Sequence, residues 1–440
     1  MSDAQTRLNR NALWMMLSRF GAQGLAMIFT ILLAQRLGAE GFGEYAFIAA
    51  LLFIANGLTT FGTDMLLIRE IAGQGNLSRL VYALVLQLGL SALFIILLWL
   101  FGARIPNQSM ETITALRIYS LALIPLAFFT VFTTALRGVQ RMDMYSLLNL
   151  IVSALQVGVV LLPEISIVRL SILLVITQIA AAILAGLICS YAIRNFWQSW
   201  LFSSIDLPFF LREAAPIAFL ALVTMLYQRL SIGMVSILMG ATVTGIFSAA
   251  LRAVEASKTA HLAVFAALYP AMAENMSLRA TLGRSNSPVN EEIASSGFDA
   301  RDSTFLAKTY SKLLIAGAVG ISLLLFVLAK PLVILLYGNE FILSSSVLQI
   351  LAWLLIPFTI NTYLTLSFLA SGREHLVGRA LTVSLLALLI LNLWWIPAKG
   401  AGGGAWATLV VECLQSVMLL ASARPFIHPQ GEVRELSELS

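Results

Sequence analysis

The chain has 440 residues, 59% of them hydrophobic and only 11% charged, with a net charge of +5. That much apolar surface exceeds what a soluble core buries, which excludes an ordinary soluble enzyme and makes the bilayer the solvent. The small positive excess informs through its location rather than its sum, and no nucleic-acid partner is expected.

A helix needs about 20 apolar residues to cross the hydrocarbon layer. Stretches of that kind predict helices over 12–35, 42–63, 79–101, 114–136, 143–162, 167–191, 211–238, 242–270, 305–328, 344–370, 375–396 and 403–423. The expected fold class is therefore an all-α polytopic membrane protein with about twelve transmembrane helices. The first stretch, Ala12 to Ala34, contains Arg19 and no convincing cleavage site, so it reads as a retained helix rather than a signal peptide. With the N-terminus inside, seventeen Lys and Arg fall at cytoplasmic ends and loops, against five (Arg36, Arg104, Arg169, Lys330 and Lys399) on the opposite side. That asymmetry puts both termini in the cytoplasm. Trp14, Trp99, Trp197, Trp200, Trp394, Trp395 and Trp406 lie near span ends, where an amphipathic ring settles.

The chain reads as two copies of one six-helix unit, residues 1–200 and 201–440. Leu37-Gly38-Ala39 after the first helix returns as Met239-Gly240-Ala241 after the seventh, and Gly43 and Tyr45 return as Gly245 and Phe247, at an offset of 202. Leu123-Ile124-Pro125 in the fourth helix returns as Leu355-Ile356-Pro357 in the tenth, at an offset of 232. The difference is housed in a polar cytoplasmic insert of 30 residues, 274–303, between helices eight and nine. Gly38, Gly43, Gly240 and Gly245 supply the positive φ or close backbone approach that a tight turn requires. Pro125 and Pro357 each remove a helical hydrogen bond and favour a bend. All six shape the fold, and two bundles with bendable helices also suit alternating access around a midplane site.

These features, with RLGAEGFGEYAF at 36–47 after an amphipathic first helix and Gly62 and Ile68-Arg69-Glu70 beyond it, resemble the polysaccharide-transporter branch of the multidrug/oligosaccharidyl-lipid/polysaccharide (MOP) exporter superfamily. The resemblance runs over residues 8–423. It implies a MATE-like pair of lobes and the activity of the Wzx-type flippases. These carry an undecaprenyl-diphosphate-linked oligosaccharide from the cytoplasmic to the outer leaflet of the bacterial inner membrane. The implied partners are the lipid-linked oligosaccharide, membrane lipids and other polysaccharide-assembly proteins.

Ionisable residues at bilayer depth are costly and face a cavity or a partner. Five cations sit that deep: Arg19 in helix one, Arg117 in helix four, Arg229 in helix seven, and Arg252 and Lys258 in helix eight. Glu255 is the main deep anion. Helix eight spaces Arg252, Glu255, Lys258 and His261 three apart, a slowly drifting stripe that lipid would not accept. The five cations are candidates for binding an anionic diphosphate head group, which guanidinium forks grip bidentately. Glu255 and His261 are candidates for a coupling or charge-partner role. The plainer readings stand beside these: Arg252 paired with Glu255, Lys258 snorkelling, Arg117 anchoring at the interface and His261 simply packed.

Cys189 and Cys413 lie in apolar runs, and His261, His375 and His428 make no ligand spacing, so no metal or cofactor is expected. A membrane glycosyltransferase or polymerase is the enzyme alternative. Its carboxylates would have to come from Glu291, Glu292, Asp299 and Asp302, which read as a solvated loop. A cation-coupled drug exporter of the same superfamily is the closer alternative. It would use membrane carboxylates, whereas five deep cations here face one main deep anion.

Overall fold

The computed structural model describes residues 3–75, 77–193, 196–197, 207–259, 261, 300–370 and 373–427. Among them the regular structure is helical: α1 (Asp3–Thr60), α2 (Thr63–Gln74), α3 (Leu80–Phe101), α4 (Met110–Ser120), α5 (Leu123–Gly138), α6 (Met142–Val160) and α7 (Ile167–Ala192) make up the first half. The second half holds α8 (Leu207–Met239), α9 (241–259), α10 (Ala300–Val327), α11 (Ala329–Tyr337), α12 (Ser344–Ala352), α13 (Leu355–Ala370) and α14 (Glu374–Ile427). Among the described residues, seven helices are long and apolar enough to cross a membrane, and up to nine if each of two bent pairs counts as one span.

Breaks in the long helices explain how these elements relate to the expected ones. A straight helix of 58 residues would run about 87 Å, nearly three hydrocarbon thicknesses. Gly38, at φ 68° and ψ −175°, divides α1 into two arms where stretches 12–35 and 42–63 were expected. Gly400, at φ 57° and ψ −136°, does the same to α14 between 375–396 and 403–423. A side chain would resist both conformations. The stretch at 305–328 is followed by α11, bent from α10 by 70°, and α12 bends from α13 by 42°. The expected polar insert at 274–303 lies outside the described residues except for its last four, which begin α10.

Pro125 and Pro357 act where their chemistry requires. Each is the third residue of its helix, α5 or α13. The carbonyls they cannot serve, of Leu121 and Trp353, instead accept from Ile124 N at 3.3 Å and Ile356 N at 3.4 Å. A tighter turn thus stands in front of each proline, and the missing N–H falls in a first turn where it costs little. The equivalence extends along the chain. α5 and α13 are both 16 residues long and start 232 residues apart, as do α6 and α14.

The halves meet along α1 and α8. A Cβ on Gly43 would collide with the Ala241 carbonyl, and one on Gly245 would collide with the Ala39 carbonyl, so the repeated motif forms a reciprocal crossing. Polar contacts reinforce this end of the junction: Asn107 Nδ2 donates to Ile237 O at 2.8 Å, Gln35 Nε2 to Leu336 O at 2.8 Å, and Ala39 N to Glu340 Oε1 at 2.9 Å. Toward the other end, Gly62 lies against Ile217 and Ala218, and Arg79 bridges Glu70 and Glu213 at 3.2 Å each. A buried core containing Phe42, Phe47, Ile232, Phe247 and Phe341 runs through the crossing. Exposed Leu100, Ile183, Leu187, Leu335 and Ile390 form the outer surface, as lipid-facing positions should.

The crossing leaves no room for a methyl group. Gly43→Ala is expected to destabilise the purified protein by about 1–3 kcal/mol, as overpacking does, read as a lower thermal midpoint. Gly89→Ala, which meets nothing within 4 Å, should leave the midpoint in place.

Candidate functional site

α8 reverses into α9 at Gly240, whose φ is +81°. The reversal brings Arg229 beside the fourth turn of α9. Arg229 Nη1 donates to Glu255 Oε1 at 2.9 Å, and Arg252 Nη1 donates to Glu255 Oε2 at 3.0 Å. One carboxylate therefore serves two guanidinium groups, one oxygen to each. The Arg229 guanidinium also lies over the Phe53 ring, 4.8 Å from its centroid, so a cation of the second half rests on an aromatic face of the first. Tyr45, from the same arm of α1, meets the Phe29 ring edge-on at 5.6 Å. Side-chain exposure separates the members: 13% for Arg229, against 32% for Arg252 and 26% for Glu255. Arg229 is clamped, while Arg252 and Glu255 remain reachable.

The lower part of the expected stripe turns elsewhere. Each step of three residues rotates about 300° on a helix, so three steps move a side chain roughly half a turn around α9. Lys258 accordingly faces α14, with its Nζ 3.8 Å from Glu412 Oε1 and 4.5 Å from the Phe358 ring centroid. Asn361 Nδ2 donates to Glu412 Oε2 at 2.8 Å, and Ser416 Oγ donates to Asn361 Oδ1 at 2.8 Å. His261 is buried and shares a 2.9 Å hydrogen bond with Thr359 Oγ1 on α13. The structure thus unites Arg229, Arg252 and Glu255, and directs Lys258 and His261 into the interior of the second half.

Arg117 does not join the cluster. Its Nη2 donates to the Trp99 carbonyl at 3.0 Å and Trp99 Nε1 returns a bond to the Arg117 carbonyl at 3.3 Å, which ties α4 to the end of α3. The side chain of Arg19 lies outside the described residues. Two further carboxylates are buried. Glu412 is 6% exposed and Glu44 is 8% exposed, the latter accepting from Ser109 Oγ at 2.7 Å and Thr112 Oγ1 at 2.6 Å. The signal that singled out Glu255, a lone carboxylate inside an apolar stretch, was present for Glu412 as well. Among the described residues no three His, Cys, Asp or Glu side chains gather as metal ligands do.

This is a multi-pass helical membrane protein in which three deep charges, Arg229, Arg252 and Glu255, gather beside Phe53 of the other half. The chain belongs to the polysaccharide biosynthesis protein family, whose model matches residues 8–276. No curated protein sequence matches it. Among solved structures it is similar to the lipid II flippase MurJ in an inward closed conformation, at 17% identity and a TM-score of 0.70, over 94% of this chain and 87% of that one. It is also similar to an inward-facing multidrug resistance MATE family transporter of the MOP superfamily, at 14% identity and a TM-score of 0.65, over 92% and 94% of the two chains. A third likeness is to a MOP superfamily transporter from Pyrococcus furiosus described by the reverse polarity of its binding pocket, at 12% identity and a TM-score of 0.60, over 95% of each chain. At these identities the likeness establishes the fold, that of MOP-superfamily transporters, as the motif resemblance implied.

The Lys258–Glu412 pair carries its own expectation. Removing one member leaves an uncompensated charge at depth, so Lys258→Met should cost about 3–5 kcal/mol of stability. Adding Glu412→Met should recover most of it, because replacing both members of a buried pair is close to neutral. Thermal unfolding of the two variants in detergent measures both steps.

Proposed function

We propose that the protein is a flippase for a polyprenyl-diphosphate-linked oligosaccharide, moving it from the cytoplasmic to the outer leaflet of a bacterial inner membrane for O-antigen, capsule or exopolysaccharide assembly. The observation that carries this reading is the convergence of Arg229 and Arg252 on one carboxylate at the junction of the halves. Each guanidinium has five N–H donors in a planar fork that fits phosphate oxygens, and a single carboxylate leaves most of them for a ligand. Membership of a polysaccharide biosynthesis family supports a glycan cargo, and the likeness to a lipid II flippase supports a fold able to move a lipid-linked one.

In this reading the halves, 1–200 and 201–440, are two six-helix lobes that rock about the charged junction while the lipid tail stays in the bilayer. Twelve crossings follow if the arms of α1 and α14 each span, each bent pair spans once and α9 spans with the seven long helices. Both termini are then cytoplasmic, in keeping with the Lys/Arg asymmetry. An inside-negative potential favours outward movement of an anion by about 2.3 kcal/mol per charge per 100 mV.

Two experiments test the proposal. A cysteine at Ser296, in the expected cytoplasmic insert, should resist an impermeant thiol reagent in intact cells and react once the membrane is opened; ready labelling of intact cells overturns the topology. Arg252→Ala should lower binding of a polyprenyl-diphosphate glycan about ten- to a hundredfold at unchanged expression, the worth of one charge-assisted hydrogen bond. Arg252→Lys should recover only part, since a point charge replaces a fork. The triple variant Arg229→Met, Arg252→Met, Glu255→Met removes all three partnered charges together and should be stable yet defective in glycan export, and full export by it would reduce the trio to a structural role.

A further inference from the structure

Glu255 occupies the place that the proposed ligand would take. Its two oxygens are divided between Arg229 and Arg252 at 2.9 and 3.0 Å, much as a phosphate would divide its own. It stands three residues from Arg252 on α9, so it cannot leave the site but can swing within it. The partly accessible members of the trio are Glu255 and Arg252, while Arg229 is held over Phe53. Lys258, one turn further along, is directed to Glu412 at 3.8 Å and does not occupy the arginines.

A transporter faces a problem that a binding protein does not. Two guanidinium groups closing on a dianion away from water would hold it tightly, and a site must bind weakly enough to let its cargo leave. The opposite step is also costly, because departure of the cargo would strand two unpaired cations at depth. A tethered carboxylate solves both. We propose that Glu255 is a built-in exchange partner: it yields Arg252 and Arg229 to the incoming diphosphate and reclaims them as the cargo departs, setting the affinity low enough for release. The inference rests on the anion-binding reading of this junction. Its distinctive consequence is a sign. If Glu255 only braces the arginines, losing it weakens binding; if it competes, losing it strengthens binding and slows transport.

The test compares wild type, Glu255→Gln, Glu255→Asp and Arg252→Ala in lipid nanodiscs and proteoliposomes, with undecaprenyl diphosphate as the probe and inorganic diphosphate as its lipid-free counterpart. Glu255→Gln is expected to bind undecaprenyl diphosphate about tenfold tighter, the scale of one charge-assisted contact no longer contested, and to transfer it across the bilayer at least about tenfold more slowly. Without ligand its thermal midpoint should fall, and the probe should raise that midpoint more than it does for wild type, because the diphosphate replaces the missing carboxylate. Glu255→Asp keeps the charge and should return affinity and transfer toward wild type, which also guards against a Gln variant that fails to fold. Unchanged or weaker binding by Glu255→Gln, with Arg252→Ala weakened, overturns the exchange role alone. Binding unaffected by Arg252→Ala overturns the anion site itself. Inorganic diphosphate binding as tightly as the lipid overturns a lipid head group as the ligand.

Discussion

A charge within the hydrocarbon layer must be paired, wetted or withdrawn, and this constraint arranges the interior of the molecule. Arg229, Arg252 and Glu255 settle it by sharing, Lys258 and Glu412 by pairing, and Arg117 by reaching the carbonyl of Trp99. The three solutions differ in consequence. Lys258 and Glu412 sit inside the second half, with Asn361 and Ser416 closing the hydrogen bonds. The Arg229–Glu255–Arg252 trio instead lies where the halves abut, with Phe53 of the other half as its cover. Parting the halves would change the dielectric around that trio and leave the Lys258 pair as it is. The trio is therefore the group whose energy depends on how the halves are arranged.

What brings the halves near enough for this is backbone rather than side chain. The Gly43 and Gly245 crossing sets one helix arm against a carbonyl of the other, and Gly38 and Gly240 supply the reversals that aim those arms. Phe53, the aromatic face over Arg229, follows Gly43 by ten residues on the same helix arm. The turn at Gly38, the close approach at Gly43 and the aromatic cover at Phe53 thus follow one another along a single stretch of chain. Recurrence of the glycine motif 202 residues later makes the contact reciprocal.

The spans were legible because roughly 20 apolar residues have few other uses. The turns and the close crossing were legible because a positive φ and a backbone contact both demand glycine. The joints were less so. Helices α1 and α14 run on through one glycine each, α11 follows the 305–328 stretch at a new angle and α12 breaks off the start of the 344–370 one, and hydropathy is blind to such changes of direction. Within the site, the spacing of Arg252 and Glu255 located a local pair on one helix. Their partner Arg229 was recognised as deep, but its bond to Glu255 spans two helices and depends on the turn at Gly240. Lys258 and His261 shared the same spacing and ended elsewhere, because a three-residue step drifts and the far end of the stripe meets α13 and α14. Glu412 was visible as a carboxylate in an apolar run; only the fold shows that it neutralises Lys258.

The fold alone does not choose the cargo. Structures that share it are described as a lipid II flippase, as a multidrug resistance transporter and as a transporter whose binding pocket has reversed polarity. Function on a shared scaffold lies in the chemistry of the site. Here the junction carries two arginines to one glutamate, a net positive charge with the Phe53 ring against Arg229. An organic cation would have to displace or outbid two guanidinium groups for a single carboxylate, at a site already repelling it. An anion meets the reverse, with donors to spare and only a tethered competitor in its way. Under the proposed function, the same ion-pair geometry would serve both the stability of the junction and selectivity toward negative charge, without a separate set of residues for each.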